Sequence, residues 1–174
     1  MAALRILGVD PGSRMTGVGI IDVNGDRITP VYYDAIKAGN GEFTARLGII
    51  FNELQQLIKQ YRPDQAAIET VFVANNASSA IKLGQARGAA ICAGVTCSVP
   101  VDEYAAREVK QAVVGKGGAT KEQVQHMICV LLSLSERPPS DAADALAVAI
   151  CHGHVRATRS RLATMQPLQG GRVR

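Results

Sequence analysis

Ile6-Leu7-Gly8-Val9-Asp10-Pro11-Gly12 is the stretch from which the fold can be read. Residues 4–9 are a short apolar run closed by Asp-Pro-Gly, the pattern of a strand buried on both faces and ending in a turn. An aspartate at that position rides on a rigid element. Two readings of Asp10 stand here: a turn former, as Asp before Pro often is, or a carboxylate held in place for chemistry.

Outward from this stretch, residues 17–23 form a second apolar run ending at Asn24-Gly25, a strong hairpin signal. The third run, 28–38, contains Pro30, which lacks a ladder donor and predicts an edge strand. Three strands with tight turns make an antiparallel meander, with the first strand mid-sheet. From Phe43 the period becomes helical (Phe43, Leu47, Ile50, Leu54, Ile58, Tyr61) and Arg62-Pro63 stops it. A short strand is predicted over 65–69, with Glu69 at its end. Asn75-Asn76 offers a cap for a helix over 77–94, in which Ala80, Gly84 and Gly88 lie four apart and admit a closely packed helix or partner chain.

Further on, residues 97–101 predict a strand and 104–114 a helix, followed by the flexible Gly115-Lys116-Gly117-Gly118 loop. Thr120 and Gln123 form a capping box for a helix with Val124, Met127, Ile128 and Leu131 on its core face. After Pro138-Pro139, Ser140 or Asp141 caps a last helix predicted to end near Val155. The helix is followed by a polar, basic, aperiodic tail over 156–174, expected to be flexible. Meander strands followed by helices alternating with short strands predict one mixed-sheet α/β domain over 1–155.

A hydrophobic content of 47% with 20% charged residues is that of an ordinary globular chain, and no apolar span is long enough for a membrane helix. From residue 156 onward there are five arginines and no acid, against a near-neutral remainder. Such a tail suggests a polyanionic partner, and without an apolar face it favours nucleic acid over a membrane surface. The four cysteines form no CxxC pair, which argues against zinc and predicts reduced thiols in a cytoplasmic protein. His152 and His154 have a spacing that could bind metal, but two histidines near a chain end read more readily as exposed polar residues.

Asp141 and Asp144, at i and i+3, share one face of the last helix's first turn. Helix capping accounts for one of them comfortably and for the second tolerably. It does not account for Glu69, which follows a buried strand, where an acid is unfavourable unless paired or bound to metal. If Asp10, Glu69, Asp141 and Asp144 converge, their repulsion raises their pKa values until cations arrive. An all-oxygen set suits Mg²⁺ or Mn²⁺, and two such ions about 3.5–4 Å apart are a recurrent means of cutting phosphodiesters. Spacing alone leaves convergence open.

Five segments go beyond generic physics: Asp10-Pro-Gly-Ser-Arg-Met-Thr-Gly-Val-Gly, Ile68-Glu69-Thr-Val-Phe72, Ser79-Ala-Ile-Lys-Leu-Gly-Gln-Ala-Arg-Gly88, Tyr104-Ala-Ala-Arg-Glu-Val-Lys110 and Asp141-Ala-Ala-Asp144-Ala-Leu-Ala. In this order they resemble the RuvC family of bacterial Holliday junction resolvases, from the first strand to about His154. The resemblance implies a ribonuclease-H-like fold, a homodimer and Mg²⁺-dependent cleavage of four-way junction DNA, with Mn²⁺ able to substitute. It also implies cooperation with the branch-migration proteins RuvA and RuvB. By position, Asp10, Glu69, Asp141 and Asp144 match the metal-binding and catalytic acids. Lys110 and Lys121 match basic residues set against DNA, and Phe72 matches an aromatic that meets a base near the crossover. Asn75 departs from the pattern, standing where relatives often carry lysine. Two other classes were weighed: a nucleotide-binding phosphotransferase of the sugar-kinase and actin type, which normally needs two such domains, and a non-catalytic binder of branched DNA.

Overall fold

The first hairpin forms where the turn chemistry asks for it. Gly25 takes φ 60°, and the turn brings Asn24 opposite Arg27. The computed structural model describes residues 3–70 and 76–165, with side chains through residue 162. In chain order the elements are β1 (Leu4–Asp10), β2 (Met15–Asn24), β3 (Arg27–Lys37), α1 (Phe43–Tyr61), β4 (Gln65–Thr70), α2 (Ala77–Thr96), β5 (Val101–Ala105), α3 (Ala106–Val114), α4 (Lys121–Leu132) and α5 (Ser140–Met165).

The five strands form one sheet in the order β3-β2-β1-β4-β5. β1 pairs antiparallel with β2 and parallel with β4, and β4 pairs parallel with β5. β1 is therefore central and β3 lies at an edge, as Pro30 requires. The β2–β3 register shifts where Ile20 faces Tyr32 but Ile21 faces Pro30, so the bulge falls beside the residue with no N–H to donate.

Alternation along the strands divides the core in two. Leu7, Val9, Val18, Ile20 and Ile68 face α1 and α2, meeting Ile50, Leu54, Ala86 and Ala90. Ile6, Ile21 and Ala67 face the other way, onto α3, α4 and α5, meeting Val109, Ile128, Leu146 and Ile150. Helix ends follow local signals: Arg62 closes α1 in the left-handed region at φ 50°, Asn76 Oδ1 accepts from Ser79 N–H at 3.2 Å, and the Thr120/Gln123 box caps α4.

Three expectations are corrected. The strand predicted over 97–101 runs instead from Val101 to Ala105, because it must reach Tyr104 and Ala105 to pair with Glu69 and Thr70. Residues 97–100 turn, with Ser98 at φ 59°. The last helix does not stop near Val155 but continues to Met165, a rod about 39 Å long. His152 is not exposed: it is 97% buried, as 3% relative exposure indicates. Its Nε2 lies 2.8 Å from Gln65 Oε1 and donates there, which leaves Nδ1 to accept from the Tyr104 hydroxyl at 2.9 Å. His154 is half-buried, with Nδ1 at 3.0 Å from the Ala112 carbonyl.

Candidate active site

Strand alternation already puts two acids on one face. Asp10 follows Ile6 and Gly8 on the side of β1 that faces α5, and Glu69 follows Ala67 on the same side of neighbouring β4. Because Val9 is level with Ile68 in parallel register, Asp10 and Glu69 end their strands side by side.

The other two acids arrive with α5, which lies against bare backbone. Gly8 is paired with Gly19, and Asp10 with Gly17, so the three glycines form a flat patch on the α5 side of β1 and β2. A Cβ on Gly8 would sit 2.1 Å from the Ala145 carbonyl oxygen, one on Gly19 2.8 Å from the Leu146 nitrogen, and one on Gly17 2.0 Å from the Asp141 carbonyl oxygen. The helix answers with small buried residues, Ala142, Ala143, Ala145 and Ala149. The main chain of Asp141 therefore rests on the strand residue opposite Asp10, and Asp144 follows one turn along.

Electrostatics confirm the convergence. The Asp10 carboxyl is pushed up to about 8, first by burial, then by the charge of Glu69 and a hydrogen bond with it, and then by Asp144 and Asp141. Burial also raises Glu69; the bond to Asp10 opposes this, Asp144 adds to it, and Lys110 and Lys121 counter it. The causes agree on one picture, in which Asp10 carries a proton that it donates to ionised Glu69. Lys121 Nζ bonds Asp144 Oδ2 at 2.8 Å, which raises the lysine's pKa and keeps it charged. A cavity of about 220 Å³ opens here, with Glu69, Asp144, Lys110 and Lys121 at its polar side and Val109, Val124 and Ala147 at its apolar side.

All four predicted acids and both predicted lysines thus meet at one end of the sheet. Phe72 and Asn75 lie outside the described residues. Among the described residues, no three His, Cys, Asp or Glu side chains stand close enough to form a ready-made metal cage. The donor set still fits a hard divalent cation: its oxygens are carboxylates, and the raised Asp10 and Glu69 pKa values mark negative charge lacking compensation. Arg159 and Arg161, from the predicted tail, are not part of this site. Arg159 faces Asp102 at 3.9 Å and Arg161 bonds Asp26 at 3.0 Å, and Arg159 is about 27 Å along the helix from Asp141. Sequence reasoning missed the glycine patch; its signal was Gly8, Gly17 and Gly19 falling on one face opposite an alanine-rich helix.

A five-stranded sheet of this order, with acids at the ends of β1 and β4 and on the first turn of the helix crossing them, defines a nuclease of the ribonuclease-H-like class. The family model described as crossover junction endodeoxyribonuclease RuvC matches residues 6–152. The chain is 56% identical over 160 residues to the RuvC of Xanthomonas axonopodis pv. citri (strain 306), covering 91% of this chain and 92% of that one. It is 52% identical over 174 residues to the RuvC of Burkholderia pseudomallei (strain 668), covering 98% and 97%. The solved structure of Thermus thermophilus RuvC in complex with a Holliday junction substrate superposes with a TM-score of 0.85 at 32% identity, covering 90% of this chain and 97% of that one. The chain belongs to the RuvC family of crossover junction endodeoxyribonucleases.

Proposed function

We propose that this protein resolves Holliday junctions by paired, symmetric, Mg²⁺-dependent incisions during homologous recombination and DNA repair. The observation that carries the metal-dependent chemistry is the gathering of Glu69, Asp144 and Asp141 around the buried Asp10 carboxyl. Asp10, Glu69, Asp141 and Asp144 would hold Mg²⁺, with Mn²⁺ able to replace it. Bound there, the metal would supply an activated water and neutralise charge on the leaving 3′ oxygen. Hydrolysis forms a bond from water oxygen to phosphorus and breaks the bond to the 3′ oxygen, leaving a 5′-phosphate and a 3′-hydroxyl that a ligase can rejoin.

The chain's own groups divide the work. Asp10, which holds a proton shared with Glu69, would have to release it for both strand-end carboxylates to hold the metal. Lys121 orients Asp144 through their 2.8 Å bond. Lys110 and Lys121, beside the acids in the same cavity, hold backbone phosphates by charge, a contact that weakens steeply with salt. Phe72 stacks on a base at the opened crossover, a contribution of roughly 1–3 kcal/mol.

Two incisions in opposed strands require two equivalent sites, which a twofold homodimer provides. The seam on α2 supports this reading. Gly84 and Gly88 have open space where a side chain would be, and Ile81 and Val95 on the same helix are 63% and 62% exposed. RuvA and RuvB are the partners expected to deliver the junction, in the cytoplasm. Four free thiols agree with that compartment, and no helix among the described residues is long and apolar enough to cross a membrane.

The test is a labelled four-way junction incubated with and without Mg²⁺. Wild type is expected to cut symmetrically only with metal. Asp10→Asn and Glu69→Gln are expected to lower cutting at least about a thousandfold while retaining junction binding. Cutting at the wild-type rate by either variant would remove that residue from the set.

A further inference from the structure

α1 buries a stripe at positions 46, 50, 54 and 58, and three of the four are the expected aliphatics, Ile50, Leu54 and Ile58. The fourth is Arg46, only 9% exposed. A buried guanidinium is unfavourable unless its donors and charge are met. Among the described residues no carboxylate pairs with it, and its Nε has no hydrogen-bond partner. Its compensation is partial: the guanidinium lies over the Phe43 ring at 5.0 Å, and Nη1 donates to the Ser13 carbonyl at 2.8 Å. Packing alone would be better served by methionine or leucine here.

What Arg46 grips is the 11–14 loop, which begins at the residue after Asp10. The same loop is held from two other sides. The fully buried Thr16 hydroxyl donates to the Gly12 carbonyl at 2.8 Å and accepts from Gly12 N–H at 3.3 Å. The Arg14 carbonyl accepts from Ala38 N–H at 2.9 Å. A Cβ on Gly12 would meet the Met15 carbonyl at 2.0 Å, so the loop is drawn tight on itself.

We infer that Arg46 is a positioning residue for DNA cleavage: from the helix across the sheet it clamps the main chain just beyond Asp10, and so fixes that carboxylate against Glu69 and Asp141. Asp10 stands at the last paired position of β1, opposite Gly17, so strand hydrogen bonding holds it from one side only. Beyond it the chain has no ladder, and the Arg46 and Thr16 bonds do that work. This inference rests on the proposed nuclease reading, since it assigns Arg46 a role only through the placement of Asp10.

Arg46→Met separates this role from packing. It fills the stripe and removes a poorly satisfied buried charge, so the melting temperature of the metal-free protein should hold or rise. Junction affinity in EDTA should stay within about twofold, while the cleavage rate falls at least about tenfold and the Mg²⁺ concentration for half-maximal rate rises several-fold. Arg46→Lys, able to reach the Ser13 carbonyl, should recover most of the loss. Thr16→Val should raise the Mg²⁺ requirement in the same way, and combining it with Arg46→Met should give less than the product of the two effects, because both act on one loop. The inference is overturned if Arg46→Met cuts with wild-type rate and Mg²⁺ requirement, or if rate and melting temperature fall together with the Mg²⁺ requirement unchanged. Should Arg46→Met not fold, Thr16→Val decides alone, a wild-type Mg²⁺ requirement again overturning it. Failure of the wild-type protein to cut any junction would instead sink the nuclease reading, and is told apart by that control.

Discussion

Asp10 binds a proton in the folded, metal-free protein at a pH where a free aspartate would long have lost it, because burial and three other acids penalise its charge. Its folded pKa lies above its unfolded value. The folding stability it contributes is therefore full below the ordinary carboxylate range and is lost as pH rises through about 8. Metal-free protein should melt at progressively lower temperature from pH 5 to pH 9, and Asp10→Asn should remove most of that slope. If Mg²⁺ binds at the proposed site it has to displace the shared proton, so the concentration giving half the metal-induced rise in melting temperature should fall by about tenfold for each unit that pH rises toward the Asp10 pKa. A pH-independent Mg²⁺ midpoint would show that no proton is shared. These acids could be singled out in the sequence, since Glu69 after a buried strand has no structural excuse. The sharing of a proton was not legible, because it depends on distances that spacing cannot give.

Among the elements, α5 decides most. Its first two turns carry Asp141 and Asp144 and its contact with β1 and β2 is backbone on backbone, so its height above the sheet sets the width of the acidic pocket. Gly17→Ala would drive a methyl into the Asp141 carbonyl, where no side chain can swing aside. A loss near the upper end of the usual overpacking range, about 3 kcal/mol, is expected by urea unfolding, together with near-complete loss of cleavage. Gly48→Ala, within α1 and with nothing near the added methyl, is the matched control and should be neutral or slightly stabilising toward unfolding. Periodicity found α1, α2 and α4 because their apolar faces are regular. It misplaced β5, since Cys97 and Val99 look like strand residues while the true strand, Val101 to Ala105, carries two adjacent acids, Asp102 and Glu103. It ended α5 early because a run of arginines and polar residues looks like a tail, although Arg159 and Arg161 reach acids on the sheet end and hold the last turns down.

At the scale of the whole molecule, charge is polarised. Acids and the two site lysines gather at one end of the sheet, and the arginines late in α5 answer Asp102 and Asp26 at the other. The basic tail reads from composition as a polyanion-binding arm, but Arg159 and Arg161 face acids within the chain. The fold class was legible from the order of meander and crossovers; the division of charge was not, because it depends on where a long helix ends. The proposed dimer belongs to this scale. If α2 is its interface, Gly88→Leu should shift the sedimentation velocity profile toward monomer relative to wild type, weakening self-association by at least about tenfold. It should also convert paired incision into single nicks. An unchanged sedimentation coefficient would exclude the α2 seam as the interface.

The glycine patch beneath α5 has one more consequence. Since main chain rests on main chain there, the spacing between the backbones that carry Asp10 and Asp141 is set by atoms no rotamer change can move. Loosening the two hydrophobic layers by trimming Ile50 or Ile128 should therefore make the enzyme melt earlier without altering which divalent ion it prefers. Its discrimination among ions should persist nearly unchanged up to the temperature at which the helix lifts off the sheet.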